Sequence, residues 1–411
     1  MTIRPEGETM DNAYLHWLDL TAADRDKARK VLDLFNEQGT VDELGLGSLR
    51  DVLSNALFPG TSVLHTRLRY VLFIPWVYQQ LEARHGNFDV ASEARRLEVT
   101  LIDALATSDA PEGIIGVHAR EAVARLASSA YWAALVHWGL FVPAKSQGWY
   151  HAHFHSLRRR RSDYPRTDDP GVIWTQEATW HPRLPPAPDA FPEDAAFALT
   201  PEEADFLLGR LEATCNGTLL AWLAREGSSS PAEYLWEDPE ALRGPPAICD
   251  VVELARRFSR HVEGAPLLYN LLLAELRRTE HDRADDEEWI EHYRDALAEW
   301  ANREADEDAF DPEALWHFVR LHGAHLPTPQ QRFVETWSRR VAMNGPDGVV
   351  NDEELRRLIA DRERQLKGPR ARVVNQGRLL DWRGNVGVGR MQFRWPQVRR
   401  LLIDLHKGLG H

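Results

Sequence analysis

The spacing of the apolar residues limits what this chain can fold into more than any other feature. Between Val63 and Ala83, apolar side chains recur every three or four residues, a period that places them on one face of an α-helix. The same period returns after Thr200-Pro201, where a capping residue followed by proline marks a helix start, and it continues to Leu366. The sequence therefore predicts a mainly α-helical protein.

Changes in composition divide the predicted helices into four segments. Residues 12–142 form a multi-helix N-terminal domain, and residues 196–366 form a second helical region. Between them, residues 143–195 hold eight prolines and four consecutive arginines, so we expect a proline- and arginine-rich insert or linker with little regular structure. Residues 367–411 form a basic C-terminal segment.

Net charge and cysteine content bound the class of protein. The chain carries a formal charge of −14, which argues against a protein that binds DNA or an anionic membrane over its whole surface. It has two cysteines, too few for a disulfide framework, and it has no apolar run of about 20 residues such as a membrane helix needs. Because the first ten residues also lack the layout of a signal peptide, the sequence predicts a cytoplasmic protein with no membrane segment.

The C-terminal segment departs from the acidic average. From Lys367 to His411 there are ten basic residues and two acidic ones, a net charge of +8. Arginines alternate there with large aromatic residues, a combination that can pair with phosphates and stack on bases. The candidate nucleic-acid-binding residues are Arg378, Trp382, Arg383, Arg390, Arg394, Trp395, Arg399 and Arg400, together with Arg158, Arg159, Arg160 and Arg161 of the insert. The alternative is that these arginines pair within the chain or at a protein interface while the aromatics pack a terminal helix.

Three alternate histidines, His151, His153 and His155, form the sharpest local pattern. On a strand they would share one face and could bind a transition metal, whereas on a helix only His151 and His155 would do so. The chain has no Gly-x-Ser-x-Gly elbow, no phosphate-binding glycine loop and no His-Glu-x-x-His motif. We therefore expect no cofactor, and a metal-dependent nuclease or other hydrolase is the enzymatic alternative.

Several segments together resemble one known family. They are Trp17-Leu18-Asp19, Asp42-Glu43-Leu44-Gly45 with Ser48-Leu49-Arg50-Asp51, Leu57-Phe58-Pro59-Gly60-Thr61-Ser62, Thr66-Arg67-Leu68-Arg69-Tyr70, Phe73-Ile74-Pro75-Trp76, Arg394-Trp395-Pro396 and Asp404-Leu405-His406-Lys407-Gly408-Leu409. In these segments the chain resembles an uncharacterised bacterial family, catalogued as domain of unknown function 6361. The resemblance implies no established activity. It implies a place in bacterial defence gene clusters that also encode helicases and nucleases.

The first block of this resemblance suggests two roles for its charged residues. Arg50, Arg67 and Arg69 can form ion pairs with Asp42, Glu43 and Asp51, which would fix the turn that begins at Phe58. Alternatively, Thr61, Ser62 and backbone amides join Arg67 and Arg69 in an anion pocket. The two interpretations share Arg67 and Arg69, and the candidate residues from both are Arg50, Asp51, Thr61, Ser62, Arg67 and Arg69.

Taken together, the sequence favours a non-enzymatic protein over an enzyme. We expect a subunit or adaptor of a bacterial multi-protein system, such as anti-phage defence, that works with helicase or nuclease partners from the same gene cluster. Contact with DNA or RNA through the basic segment would accompany that role. The alternatives are the metal-dependent hydrolase and a pure protein scaffold without nucleic-acid contact.

Overall fold

The computed structural model describes residues 42–108, 111–162, 178–227, 230–281 and 286–410, and of residues 160–162 the backbone alone. The segment Trp17-Leu18-Asp19 lies outside these residues. The protein is mainly α-helical, which confirms the predicted fold class. None of the described helices combines the length and the apolar character needed to cross a membrane.

The described residues contain fifteen α-helices. In chain order they are α1 (Gly47–Leu57), α2 (Tyr70–Ala83), α3 (Val90–Ala106), α4 (Ala127–His137), α5 (Gln147–Ser162), α6 (Pro201–Thr214), α7 (Leu219–Glu226), α8 (Pro239–Leu242), α9 (Pro246–His281), α10 (Asp286–Ala305), α11 (Pro312–Leu321), α12 (Thr328–Asn344), α13 (Glu353–Lys367), α14 (Gln376–Leu380) and α15 (Trp395–Leu409). Short 3-10 turns occur at Arg120–Ala122, Leu235–Glu237, Pro346–Asn351 and Gly368–Arg370.

Side-chain caps begin several of these helices, as the sequence leads one to expect. At α6 the Thr200 hydroxyl accepts a hydrogen bond from the Glu203 amide, and the Glu203 carboxylate accepts one from the Thr200 amide. This capping box satisfies two amides that the first turn of a helix leaves without partners. Asp89 caps α3 and Asp352 caps α13 in the same way, through carboxylate oxygens.

The predicted insert contains more regular structure than its proline content suggested, because α5 lies inside it. No proline occurs between Pro143 and Pro165, so nothing in the covalent chain interrupts a helix there. The Ser146 hydroxyl accepts a hydrogen bond from the Trp149 amide at 3.1 Å and caps the first turn of α5. The expectation of little regular structure was therefore wrong for residues 147–162.

The chain divides into two compact units, and neither is continuous in sequence. Among the described residues, those within 47–262, 308–338 and 390–410 form the larger unit, and those within 42–46, 263–307 and 339–389 form the smaller unit. The basic C-terminal segment therefore does not act as one element, since its first part belongs to the smaller unit and its second part to the larger one.

Aromatic rings fill much of the core of the larger unit. Tyr78 of α2 contacts Trp132 of α4, Tyr150 of α5 and Trp180, with ring centroids 5.2–5.9 Å apart. Trp180 also lies in an antiparallel β-bridge with Phe141, which ties the chain after residue 178 to the end of α4. Large rings bury much area and pack edge to face, so they hold four chain segments together.

The core of the smaller unit is built around Asn270 of α9. Its amide oxygen accepts hydrogen bonds at 3.0 Å from the Trp382 indole and from the Val386 amide. Arg277, about two turns further along α9, is paired with the fully buried Asp286 and donates to the Trp382 carbonyl oxygen at 2.6 Å. These bonds fix the loop after α14 against α9.

His65 is buried in the larger unit without a charged partner. Its ring is 2% exposed, stacks on Tyr131 at a centroid distance of 4.0 Å, and contacts the Ala130 carbonyl oxygen at 3.2 Å. Burial lowers the pKa of His65 to about 3, chiefly because an imidazolium cannot be solvated there.

We expect this buried imidazole to make the larger unit lose stability in acid. Below the ordinary histidine pKa of about 6.5, His65 binds a proton in the unfolded chain but not in the folded one. The free energy of unfolding therefore falls by about 1.4 kcal/mol for each pH unit of acidification. In His65→Phe, which keeps the ring stacking, this contribution disappears. Urea denaturation of both proteins between pH 5 and 8 measures the difference, and a difference that does not change with pH would contradict the assignment.

Candidate binding cleft beside the terminal helix

A cleft of about 630 Å³ opens in the larger unit beside α15. Four stretches of chain line it: Arg67, the end of α3 from Ala104 to Ser108, the segment from Glu193 to Leu199, and Asp404 with Lys407 and Gly408 of α15. The volume lies within the range typical of ligand sites. Two of these stretches, around Arg67 and around Asp404, belong to segments on which the family resemblance was based.

Arg67 and Asp404 form a close ion pair at the wall of the cleft. The guanidinium Nε lies 3.1 and 3.0 Å from the two carboxylate oxygens, and Nη2 lies 3.0 Å from Oδ1. The Leu68 amide donates to the same carboxylate at 2.9 Å, and Asp404 is 7% exposed. A carboxylate held by three donors in this fork geometry is fixed in both position and orientation.

A second ion pair, between Arg69 and Glu203, supports the cleft wall formed by residues 193–199. Arg69 donates to the Glu203 carboxylate and to the Ala196 carbonyl oxygen, both at 2.7 Å. The Arg67 guanidinium lies 4.4 Å from the centre of the Phe197 ring, a cation–π distance. Through these contacts with Ala196 and Phe197, Arg67 and Arg69 hold the segment 193–199 in place.

Close packing sets the position of α15 against α6. A side chain at Gly408 would place its Cβ 2.8 Å from the Ala204 Cβ and 2.9 Å from the Leu199 Cβ. Real Cβ atoms do not approach so closely, so the helix can lie this near to its neighbours only with glycine at position 408.

The start of α15 is tied to the Phe58 turn by Arg394. Its guanidinium donates to the Thr61 carbonyl oxygen at 2.8 Å and to the Asn55 amide oxygen at 2.7 Å, and it lies 3.6 Å from Asp51. Phe393 and Arg394 both have positive φ angles, 49° and 66°, which side-chain-bearing residues seldom adopt. Burial lowers the pKa of Arg394, while the charge of Asp51 opposes this.

The predicted anion-pocket residues are thus distributed over two places. Arg67 lines the cleft and the buried Arg69 bonds to Ala196 in its wall, whereas Arg50, Asp51, Thr61 and Ser62 lie near the Phe58 turn. Arg50 contacts Asp51 at 3.2 Å, the Thr61 hydroxyl donates to the Phe58 carbonyl oxygen at 2.6 Å, and the Ser62 hydroxyl accepts from the Leu64 amide at 3.2 Å.

Arg50 contacts Asp51, one of the acidic partners expected from the sequence, whereas the acidic partners of Arg67 and Arg69 differ from the expected ones. Arg67 and Arg69 pair with Asp404 and Glu203, which are 337 and 134 positions away along the chain. Glu43 belongs to the smaller unit, where it pairs with Lys367 and Arg372. Proximity in sequence did not predict the partners of Arg67 and Arg69, because both ion pairs join segments that are far apart along the chain. The Thr200-x-x-Glu203 capping pattern was the one signal that Glu203 has a fixed position.

The two tryptophans predicted to stack on bases are both buried. The Trp382 indole donates to Asn270, and the Trp395 indole, 0% exposed, donates to the Ala232 carbonyl oxygen at 3.0 Å. Neither ring offers a free face to a nucleic-acid base in this structure.

Most of the predicted cationic residues also contact the protein itself. Arg399 donates to the Ala232 carbonyl oxygen, Arg390 lies over the Tyr234 ring, Arg378 is near Asp381, and Arg158 donates to the carbonyl oxygens of Arg84 and Gly86. Arg159, Arg383 and Arg400 are exposed. The side chains of Arg160 and Arg161 lie outside the described residues.

The three histidines of the predicted metal site lie on α5, and their rings have separate partners. His151 contacts the Tyr78 hydroxyl at 2.7 Å, His153 the Trp149 carbonyl oxygen at 2.8 Å, and His155 the Phe88 carbonyl oxygen at 2.8 Å. Among the described residues, no group of three or more His, Cys, Asp and Glu side chains is arranged to hold a metal ion.

Comparison with known proteins found one family. A family model with the description "Family of unknown function (DUF6361)" matches residues 12–408. Neither the curated proteins nor the solved structures include a match to this chain.

We expect the Arg67–Asp404 pair to be critical for the stability of the larger unit. Asp404→Ala leaves a largely buried guanidinium without its counter-ion, which costs about 3–5 kcal/mol. The double variant Arg67→Met with Asp404→Leu removes both charges and should recover part of this loss. Urea denaturation measures each free energy of unfolding.

The control is Glu226→Ala, which removes the partner of the exposed Arg225 in the same unit. Exposed pairs contribute about 1 kcal/mol or less, so this variant should unfold close to wild type. Equal losses for Asp404→Ala and Glu226→Ala would show that the cleft pair is not structurally important.

Proposed function

Because the chain belongs to DUF6361, a family of unknown function, we propose a role from its own geometry: it is a non-enzymatic adaptor that binds an extended segment of a partner protein in the cleft beside α15. The partner is proposed to be a protein of the same gene cluster, with a helicase or nuclease as the leading candidates. This role needs a rigid, partly polar cleft rather than a set of reactive groups.

One observation carries this proposal. The backbone N–H groups of Ala196, Phe197, Ala198 and Leu199 make no hydrogen bond to any described residue, although this segment lines the cleft. Backbone amides are strong donors that proteins almost always satisfy. An extended peptide satisfies such groups with its own backbone, which is the basis of strand addition in peptide recognition.

The side chains of the cleft agree with a peptide ligand. Alanines at 195, 196 and 198 leave the backbone of this wall accessible, because their side chains are short. Lys407 on one side, and Glu193 and Asp194 on the other, are exposed charges of opposite sign. Such an arrangement favours a ligand that carries both charges over a nucleic-acid backbone, which carries one.

The charged groups deeper in the wall support binding rather than catalysis. Arg67 and Arg69 are bonded to Asp404 and Glu203, so their charges are used in holding the cleft open. A wall fixed before the ligand arrives lowers the entropy lost on binding.

We expect Ala198→Trp to weaken binding of the partner protein. Ala198 is exposed at the cleft, so an indole there fills the space without disturbing the core, and affinity should fall at least about tenfold, or 1.4 kcal/mol. The chain is expressed with each protein encoded beside its gene, and titration calorimetry of the purified pair measures the dissociation constant.

The matched control is Ala91→Trp, the same substitution at an exposed residue near the start of α3, whereas the end of that helix lines the cleft. It should bind the partner with wild-type affinity. Unchanged affinity in Ala198→Trp would place the partner elsewhere and overturn the proposal.

Direct contact with nucleic acid is a separate question that salt dependence can decide. Since Trp382 and Trp395 are buried and Arg394 and Arg399 donate to protein oxygens, we expect no steep loss of affinity for single- or double-stranded DNA or RNA between about 50 and 200 mM salt. Fluorescence anisotropy with labelled oligonucleotides provides the measurement. If the logarithm of the affinity fell with the logarithm of the salt concentration with a slope equivalent to several neutralised phosphates, the basic segment would be a nucleic-acid-binding site after all.

A further inference from the structure

A chain of five hydrogen-bonded side chains runs through the larger unit between two titratable groups. Glu98 of α3 accepts from the Ser128 hydroxyl at 2.6 Å. The Gln147 amide nitrogen lies 2.9 Å from the Ser128 oxygen and 2.9 Å from the Tyr78 oxygen. The Tyr78 hydroxyl lies 2.7 Å from Nε2 of His151. The chain thus connects helices α2, α3, α4 and α5.

One end of this chain is buried and the other is partly open. Glu98 is 2% exposed, and burial raises the pKa of its carboxyl group to about 7, against the hydrogen bonds from Ser128 and the charge of Arg95. His151 is half-buried, and burial lowers the pKa of its ring while Asp89 opposes this. Glu98 therefore changes charge near neutral pH, where His151 is still neutral.

The groups that face these two residues can be named from each neighbouring helix. Glu98 faces the hydroxyl groups of Tyr70 and Tyr78 from α2, Ser128 from α4, and Arg95 from its own helix; His151 faces Tyr78 from α2, the cap residue Asp89 of α3, and the Tyr150 ring of α5. Arg95 donates to the carbonyl oxygens of Glu121 and Val123.

When Glu98 is ionised, the direction of every hydrogen bond is fixed. The carboxylate accepts from Ser128, whose oxygen must then accept from Gln147. The amide NH₂ of Gln147 donates its second hydrogen to Tyr78, which leaves the Tyr78 proton to be donated to His151. Nε2 of His151 is then an acceptor, so the ring proton is on Nδ1.

When Glu98 is protonated, the same atoms support the opposite direction. The carboxylic O–H donates to the Ser128 oxygen, and the Ser128 hydroxyl needs an acceptor. A half turn of the Gln147 amide supplies its carbonyl oxygen, which has two lone pairs and accepts from both Ser128 and Tyr78. Tyr78 then accepts from His151, which requires a proton on Nε2.

We propose that Glu98, Ser128, Gln147, Tyr78 and His151 form a proton-operated relay in which protonation of Glu98 reverses the side-chain hydrogen bonds and moves the proton of His151 from Nδ1 to Nε2. The carboxylate takes up one proton from solvent. The neutral imidazole releases its Nδ1 proton to water and takes another on Nε2, so the ring gains no charge. Ser128 N–H donates to the other carboxyl oxygen, 2.9 Å away, in both states.

Through the relay, the protonation state of the buried Glu98 determines whether Nδ1 of His151, on α5, is a hydrogen-bond donor or an acceptor. Within the described part of the chain, Nδ1 of His151 has no hydrogen-bond partner. It is a donor while Glu98 is ionised and an acceptor once Glu98 is protonated. A ligand that contacts this edge of the ring therefore binds in one state and not in the other. This inference is independent of the cleft.

Nuclear magnetic resonance of the full chain with ¹⁵N-labelled histidine tests the relay. The two ring-nitrogen shifts of His151, assigned by their loss in His151→Gln, identify the tautomer. In wild type we expect Nδ1–H above about pH 7 and Nε2–H below it, before the ring itself becomes protonated. In Glu98→Gln the carboxamide donates to Ser128 as the protonated acid does, so His151 should keep Nε2–H up to pH 8.5.

Two further variants separate the relay from a general effect of charge. Gln147→Leu cuts the chain and leaves Glu98 in place, so the tautomer of His151 should lose its transition near pH 7. Glu82→Gln removes another carboxyl of this core, the acceptor of the Tyr150 hydroxyl at 2.7 Å, and should keep the wild-type transition. A His151 tautomer that does not change between pH 6 and 8.5 in wild type, or a transition that persists in Gln147→Leu, overturns the relay even if Glu98→Gln fails to fold.

Discussion

The ion pair between Arg67 and Asp404 is the interaction on which the larger unit depends. It joins a turn before α2 to the last part of α15, and with Arg394 at the other end of that helix it clamps α15 at two points. Arg67 also contacts the Phe197 ring and thereby supports the wall of the cleft. A charge pair with this many bonds is costly to desolvate, and it is tolerated because every donor and acceptor around the carboxylate is used.

The sequence predicts the helices better than their partners. Periodicity and capping residues are local properties, so α6 begins where Thr200 and Pro201 indicate. Composition misled in one place: prolines on both sides of α5 hid a helix that contains none. The boundaries of the two units also follow no change in composition, because each unit is assembled from separate pieces of chain.

The candidate site could be predicted in part. Arg67 and Arg69 were singled out from the sequence; Arg67 lines the cleft, and Arg69 bonds to Ala196 in its wall. Asp404 and Glu203 could not be identified as their partners, because no local pattern connects residues so far apart. Trp382 and Trp395 illustrate the opposite error. An arginine next to a tryptophan is compatible with base stacking and with a buried indole, and only the tertiary fold distinguishes the two.

The separation of Arg67 from Asp404 also constrains how the protein can be made. A ribosome adds about 5–20 residues per second, and 337 positions separate the two residues. At that rate Arg67 is synthesised about 17–67 s, and Phe197 about 10–41 s, before Asp404. During that interval the segments that line the cleft lack the carboxylate that pairs with Arg67 and the helix that forms the remaining wall.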